Sequence, residues 1–199
     1  SFYFVMKFEI NMNDSVGKTF ALSTVQIDVE NPQSFGIQYV DENNNRHYPY
    51  LLHTSVSGGI DRCVCALLEK EAIKMKRGEK GSFPFWLAPT QIRLIPISGE
   101  YIDECMRIAR DLSVRVDIDD RDMSVSKKIR EAEKEWVPII IVIGEREKEG
   151  VFTPRFRFKC EETEITREKL QQIVAEKMEG RPFRQLPLPV LLSRRPKFK

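Results

Sequence analysis

Between residues 74 and 81 the chain reads Lys-Met-Lys-Arg-Gly-Glu-Lys-Gly, and the patterning on its two sides belongs to two different fold classes. Upstream, apolar residues fall on every second position, Phe2, Phe4, Met6, Phe8, Ile10 and Met12, with Lys7, Glu9 and Asn11 between them. A period of two is the mark of a half-buried β-strand. The turn residues Asn13-Asp14-Ser15-Val16-Gly17 follow, and the chain then alternates again, with Ala21, Ser23, Val25, Ile27 and Val29 on one face. This pair predicts an antiparallel hairpin. Short strands over 35–40 and about 46–53, separated by the polar turn 41–45, make four consecutive strands with no helix between them and hence an antiparallel sheet. Ser57-Gly58-Gly59 breaks the sheet, and residues 60 to about 75 take helical spacing through Ile60, Val64, Leu67, Leu68 and Ile73.

Downstream the pattern alternates strand and helix. Strands are expected over 92–97, 114–118, 138–143 and 152–159, and helices near 100–112, 125–135 and 166–178, the last ended by Gly180. The run Pro138-Ile139-Ile140-Ile141-Val142-Ile143 is apolar throughout, which requires a strand covered on both faces of a mixed sheet. The Pro-rich end from Leu186 cannot be regular helix and is expected to lie extended against a surface. The fold class is therefore α/β in the broad α+β sense, with units at 1–76 and 83–199 joined by a linker at 77–82.

Composition narrows the partners. Charged residues make up 31% of the chain but the net charge is only +2, so any nucleic-acid site must be local. Cys63, Cys65, Cys105 and Cys160 form neither a CxxC pair nor a disulfide framework, which fits a reducing cytoplasm. No apolar run approaches the roughly 18–20 residues that span a membrane. The chain begins Ser-Phe-Tyr-Phe without Met, inside a strand pattern, and so reads as a piece of a longer protein.

The segment Ser57-Gly58-Gly59-Ile60-Asp61-Arg62 is the most informative for chemistry. Small residues there let backbone approach a ligand at a helix N-terminus, where free amides and the helix dipole favour anions. Arg62, in the first turn, can stack on an adenine or pair with phosphate. On the residues alone, His53 reads as a hydrogen-bonded residue at a strand end, and His47 as a surface residue. Lys127, Lys128 and Glu131 read as a solvated helix face with partners at helical spacing. Arg155 and Arg157 alternate with Phe156 and Phe158, which puts cations on one face and aromatics in the core.

The strand, Gly-Gly turn and arginine-bearing helix resemble motif 3 of class II aminoacyl-tRNA synthetases. Thr24-Val25-Gln26-Ile27-Asp28 and Tyr50-Leu51-Leu52-His53 direct the resemblance to archaeal-type threonyl-tRNA synthetases. It implies that Arg62 is the catalytic, ATP-binding arginine, with Gly58 and Gly59 beside the nucleotide, and that Gln26 lines the substrate pocket. It also implies that His53 is a ligand of a zinc ion whose other ligands lie outside this chain. Zinc can bind both the amino and hydroxyl groups of threonine, and valine has no hydroxyl to offer. Phe85-Trp86-Leu87-Ala88-Pro89-Thr90-Gln91, entering the second unit, resembles the anticodon-binding domain shared by synthetases for threonine, proline, glycine and histidine. Arg130, Glu147 and Arg155 then match positions that contact anticodon bases. Phe4, Asp122 and Trp136 depart from the bacterial tyrosine, asparagine and arginine, and Trp136 could instead stack on a splayed base.

Motifs 1 and 2 are absent from the chain. The implied function is that of a threonine–tRNA ligase whose complete form is a homodimer using Zn2+ and ATP with Mg2+ to join threonine to tRNA(Thr), and which is cytoplasmic. This chain by itself is expected not to activate threonine. The alternative is a non-catalytic tRNA-binding module or synthetase paralogue.

Overall fold

A computed structural model of the chain describes residues 3–157 and 163–196. The chain forms two compact units, Ser1–Glu79 and Lys80–Lys199. In the first, β1 (Phe4–Asn13) and β2 (Thr19–Asp28) pair antiparallel. Asp14 closes their turn, its carboxylate accepting from the amides of Val16 and Lys18 at 3.0 and 2.7 Å. After β2 come α1 (Asn31–Ser34), β3 (Tyr39–Val40), β4 (Arg46–His47), β5 (Leu51–Ser55) and α2 (Ile60–Lys76). The three-stranded sheet has the order β1-β2-β5, and β3 and β4 form a separate ribbon. Helix α2 is tied to the hairpin turn, where the Ser15 amide donates to Glu69 at 2.6 Å and the Lys76 ammonium donates to the Ser15 carbonyl.

Two expectations for this unit need correcting. A helix does intervene between the strands, because Pro32 sits in the first turn of α1 and Gly36 turns the chain at φ +64°, leaving only Tyr39–Val40 of the strand expected over 35–40. The strand expected over 46–53 is two strands, since Pro49 has no N–H to give a ladder and the chain leaves extended pairing at 48–50. The half-buried strand read from β1 also has its apolar face uncovered: Met6 and Phe8 are each 62% exposed and Leu52 74%. The beginning of that pattern, Phe2, lies outside the described residues.

The second unit runs β6 (Ile92–Pro96), α3 (Ile102–Asp111), β7 (Val116–Ile118), α4 (Val125–Lys134), β8 (Ile139–Ile143), α5 (Glu145–Lys148), β9 (Val151–Phe152), β10 (Arg155–Phe156), β11 (Ile165–Thr166) and α6 (Arg167–Met178). Its main sheet has the order β10-β8-β6-β7, with β6 parallel to both neighbours and β10 antiparallel at one edge. Ile92, Leu94, Ile139 and Ile141 pack on one face with Cys105 and Ile108 of α3 and Leu170 and Val174 of α6. On the other face Ile95, Ile140 and Val142 pack with Val125, Ile129 and Ala132 of α4. Both faces are covered, and that is why β8 carries no polar residue.

The strand expected over 152–159 is broken by Pro154. Phe152 pairs with Ile165, whereas Arg155 and Phe156 pair with β8; residues 158 and 159 lie outside the described segments. The tail lies along β7: Ile118 donates to the Val190 carbonyl at 2.9 Å and bridges Leu191 in parallel. Among the described residues no helix is long and apolar enough to cross a membrane.

Candidate functional site

The register of the first sheet sets Lys7, Gln26 and His53 in one row across β1, β2 and β5. Cross-strand partners share a face, so these side chains stand together, opposite the apolar face of Met6, Ile27 and Leu52. Gln26 is buried, accepts from the Tyr3 hydroxyl at 3.3 Å and donates to Thr24 at 3.3 Å. His53 is exposed beside it. Asp28 is buried; burial raises its carboxyl pKa, but hydrogen bonds from Asn31 and the Glu30 amide outweigh this and hold it below the ordinary carboxylate range. Among the described residues no group of three His, Cys, Asp or Glu is placed to hold a metal ion, so His53 brings one imidazole to any zinc site.

Gly58, Gly59 and Arg62 meet where β5 passes into α2. Gly58 takes φ +69°, and a Cβ there would lie 2.9 Å from Cδ of Arg62, so the arginine stem lies against the bare glycine backbone. Gly59 is the N-cap residue of α2, and Arg62 stands exposed in its first turn. A guanidinium beside free helix amides suits an anionic ligand.

In the second unit the register places Asp117, Arg93, Ile140 and Arg155 in one row across β7, β6, β8 and β10. Ile140 packs under α4, so Arg155 also projects on the α4 face of the sheet, and Phe156 packs on the opposite face, in the main core. Successive residues of α4 turn by about 100°. With Val125, Ile129 and Ala132 inward, Lys128, Glu131 and Glu135 fall on one flank, and Ser126, Arg130 and Glu133 on the other. Glu135 reaches Arg93 on β6, which assigns the first flank to the β7 side. The Glu133 carbonyl accepts from Arg157, just beyond β10, which assigns the second flank to the β10 side. Arg130 and Arg155 are both exposed, Arg155 on the α4 side of the sheet and Arg130 on the part of the helix surface turned towards β10 and solvent.

Glu147 lies elsewhere, past the C-terminal end of β8. Its carboxylate accepts from the Gly144 amide at 2.9 Å and caps α5. Trp136 sits at the far end of α4 in left-handed conformation, φ +57°, with its ring 5.4 Å from that of Phe83. Phe83 thus occupies a face that the sequence had offered to a base. Lys128, read as solvated, is buried on the β7-side flank, while Glu131 does pair with Lys134 at 3.0 Å. His47 is exposed and bonds Asp41 at 2.8 Å.

Arg93 was missed, and so were the contacts of Arg157. Arg93 is fully buried, with Nε and Nη2 on Asp117 at 2.8 and 2.9 Å. Its signal was a cation inside the apolar run Ile92-Arg93-Leu94-Ile95. Arg157 donates from Nε to the Gly81 carbonyl at 2.6 Å and from Nη1 to the Glu133 carbonyl at 2.8 Å. Nothing local in sequence announces those partners.

Residues 91–177, which hold α4, the β10 edge and the α5 cap, match the family described as the anticodon binding domain. The whole chain is 51% identical to the threonine–tRNA ligase of Pyrococcus furiosus, and 99% of it is 46% identical to that of Methanosarcina acetivorans. It spans 32% of the length of each, about a third of these curated relatives. Among solved structures, the RNA binding domain of threonyl-tRNA synthetase from Cryptosporidium parvum Iowa II matches with TM-score 0.66 and 26% identity, over 86% of this chain and 42% of that one. Prolyl-tRNA synthetase from Cryptosporidium parvum, complexed with halofuginone and AMPPNP, matches with TM-score 0.68 over 89% of this chain and 38% of that one; at 22% identity this is a likeness of fold.

Proposed function

We propose that the chain is the part of a threonine–tRNA ligase that supplies motif 3 and the anticodon-reading domain. The complete enzyme activates threonine with ATP and Mg2+, transfers it to tRNA(Thr), works as a homodimer and resides in the cytoplasm. In this reading Arg62 binds ATP at the N-terminus of α2 beside Gly58 and Gly59. Gln26, oriented by Tyr3 and Thr24, lines the amino-acid pocket, and Tyr3 supplies the hydroxyl that Phe4 lacks. His53 holds zinc together with ligands from the rest of the enzyme. Zinc held there would supply a Lewis acid for the amino and hydroxyl groups of threonine.

In the second unit Arg130, Glu147 and Arg155 read unpaired anticodon bases. The observation that supports this reading is that Arg130 and Arg155 are both exposed on the α4 side of the β10 edge. Planar guanidiniums give the directed donor pairs that base edges require, and the acceptor Glu147 complements them. Small net charge means few phosphates are neutralised, so affinity depends on base contacts more than on salt.

The test compares binding of a tRNA(Thr) anticodon stem-loop and an anticodon-swapped loop at one salt concentration. Arg130→Ala is expected to cost about 1–3 kcal/mol for the cognate loop and much less for the swapped one. Equal weakening of both would make Arg130 a backbone contact and refute the base-reading role.

A further inference from the structure

Helix α4 is gripped at its last turn from both flanks. On the β7 side the Glu135 carboxylate accepts from Nη2 of Arg93 at 2.6 Å. On the β10 side the Glu133 carbonyl accepts from Nη1 of Arg157 at 2.8 Å. Arg157 is itself fixed twice more, by Nε on the Gly81 carbonyl at 2.6 Å and by its amide on the Pro138 carbonyl at 2.9 Å. The segment at Gly81 meets the same helix end again through the Phe83–Trp136 ring pair. The first turn of α4 has no comparable hold, since Ser124 makes no side-chain capping bond.

We propose that Arg157 is a positioning residue for nucleic-acid recognition, fixing the last turn of α4 so that Arg130 is presented on the side of the helix turned towards β10. This rests on the proposed anticodon-reading function. Arg130 is three residues, less than one turn, from the carbonyl that Arg157 holds, so rotation of α4 about its axis would swing the guanidinium away from β10. The last carbonyls of a helix carry partial negative charge, and that of Glu133, which accepts from the Trp136 amide at 3.2 Å, has a second lone pair for a cation. The rigid fork of a guanidinium bridges two carbonyls in fixed geometry, whereas an ammonium presents a point charge with no fixed direction. Arg157 acts through Arg130 and is not required to touch the nucleic acid.

A double-mutant cycle tests this on the 199-residue chain, with the cognate and anticodon-swapped stem-loops as probes. Arg157→Lys keeps the charge and loses the bridge; Arg157→Gln serves if the lysine variant does not fold. Cognate affinity is expected to fall roughly tenfold in the wild-type background, and by less than about twofold in the Arg130→Ala background, because the residue being positioned is then gone. A loss of similar size in both backgrounds would make Arg157 a direct contact or general scaffold, and no loss in the wild-type background would leave it without a role; either overturns the proposal. If the wild-type chain itself fails to distinguish the two loops, the anticodon-reading function fails first, which the Arg157 variants cannot imitate.

Discussion

The guanidinium of Arg93 and the carboxylate of Asp117 meet edge to edge across neighbouring parallel strands, at 2.8 and 2.9 Å, with both residues wholly buried. Removing Asp117 leaves the buried guanidinium with the half-exposed Glu135 carboxylate alone, and removing Arg93 leaves the Asp117 carboxylate with Arg195 and the Thr90 hydroxyl. Asp117→Ala is expected to cost about 3–5 kcal/mol in urea unfolding of the second unit. The pair Arg93→Met with Asp117→Leu is expected to cost less than that single change, since no buried charge remains. A double variant as unstable as the sum of the two single ones would show that the residues act independently.

Acid sensitivity of the second unit is expected to trace to Asp119. Burial raises its carboxyl pKa, but the Arg121 guanidinium, bonded at 2.8 and 2.7 Å, outweighs burial and holds it below the ordinary carboxylate range. A lowered folded pKa stabilises above the unfolded value, about 3.9, and that stabilisation is lost as pH falls through the folded pKa. The Tm advantage of wild type over Asp119→Asn is therefore full at pH 6 and shrinks below about pH 4. An advantage independent of pH would count against this.

The described cysteines should separate sharply in reactivity. Burial, with help from Glu104, pushes the Cys105 thiol up to about 12, and the side chain has no exposure. Cys65 is exposed, and Cys63 is half-buried with its thiol donating to the Ser57 carbonyl at 3.3 Å. At pH 8 a maleimide followed by peptide mass spectrometry is expected to label Cys65 first, then Cys63, and Cys105 only in denaturant. Labelling of Cys105 at a rate close to that of Cys65 would mean that the core opens readily.

Among the described residues of the first unit nothing covers the apolar face of Met6, Phe8 and Leu52. Limited proteolysis of the 199-residue chain is expected to cut this unit first and leave the second intact. Phe8→Ser should lower the binding of an apolar dye without lowering thermal stability, because the ring buries little. Loss of the second unit before the first would contradict the packing described above.

Legibility of the sequence followed the length of its patterns. The long alternations of β1 and β2, the helical spacing of α2 and the apolar run of β8 were plain, because each repeats a period several times. Two-residue strands such as β9 and β10 offer no period, and the prolines at 49 and 154, which divide two longer readings, were passed over. Helix α5 hid inside a charge run, Glu145-Arg146-Glu147-Lys148, that reads equally well as loop. At the sites, Gln26, His53 and Arg62 are singled out by resemblance and not by any pattern of their own. The Arg157 bridge was not, because its carbonyl partners are backbone atoms 24 and 76 residues away in sequence.

The order of synthesis gives the tail a temporal meaning. β7 holds β6 on one side, and on its other side takes Val190 and Leu191, with the Asp120 carboxylate accepting from the Ser193 amide 73 residues away. A ribosome that has made α3, α4 and β8 has still not made the strip that closes this border. Until it does, the amide of Ile118 must find water, and the edge can pair with another nascent chain. Completion of the second unit is therefore a late event with long loop closure, and slow translation near residue 190 would prolong the period of greatest exposure to mispairing.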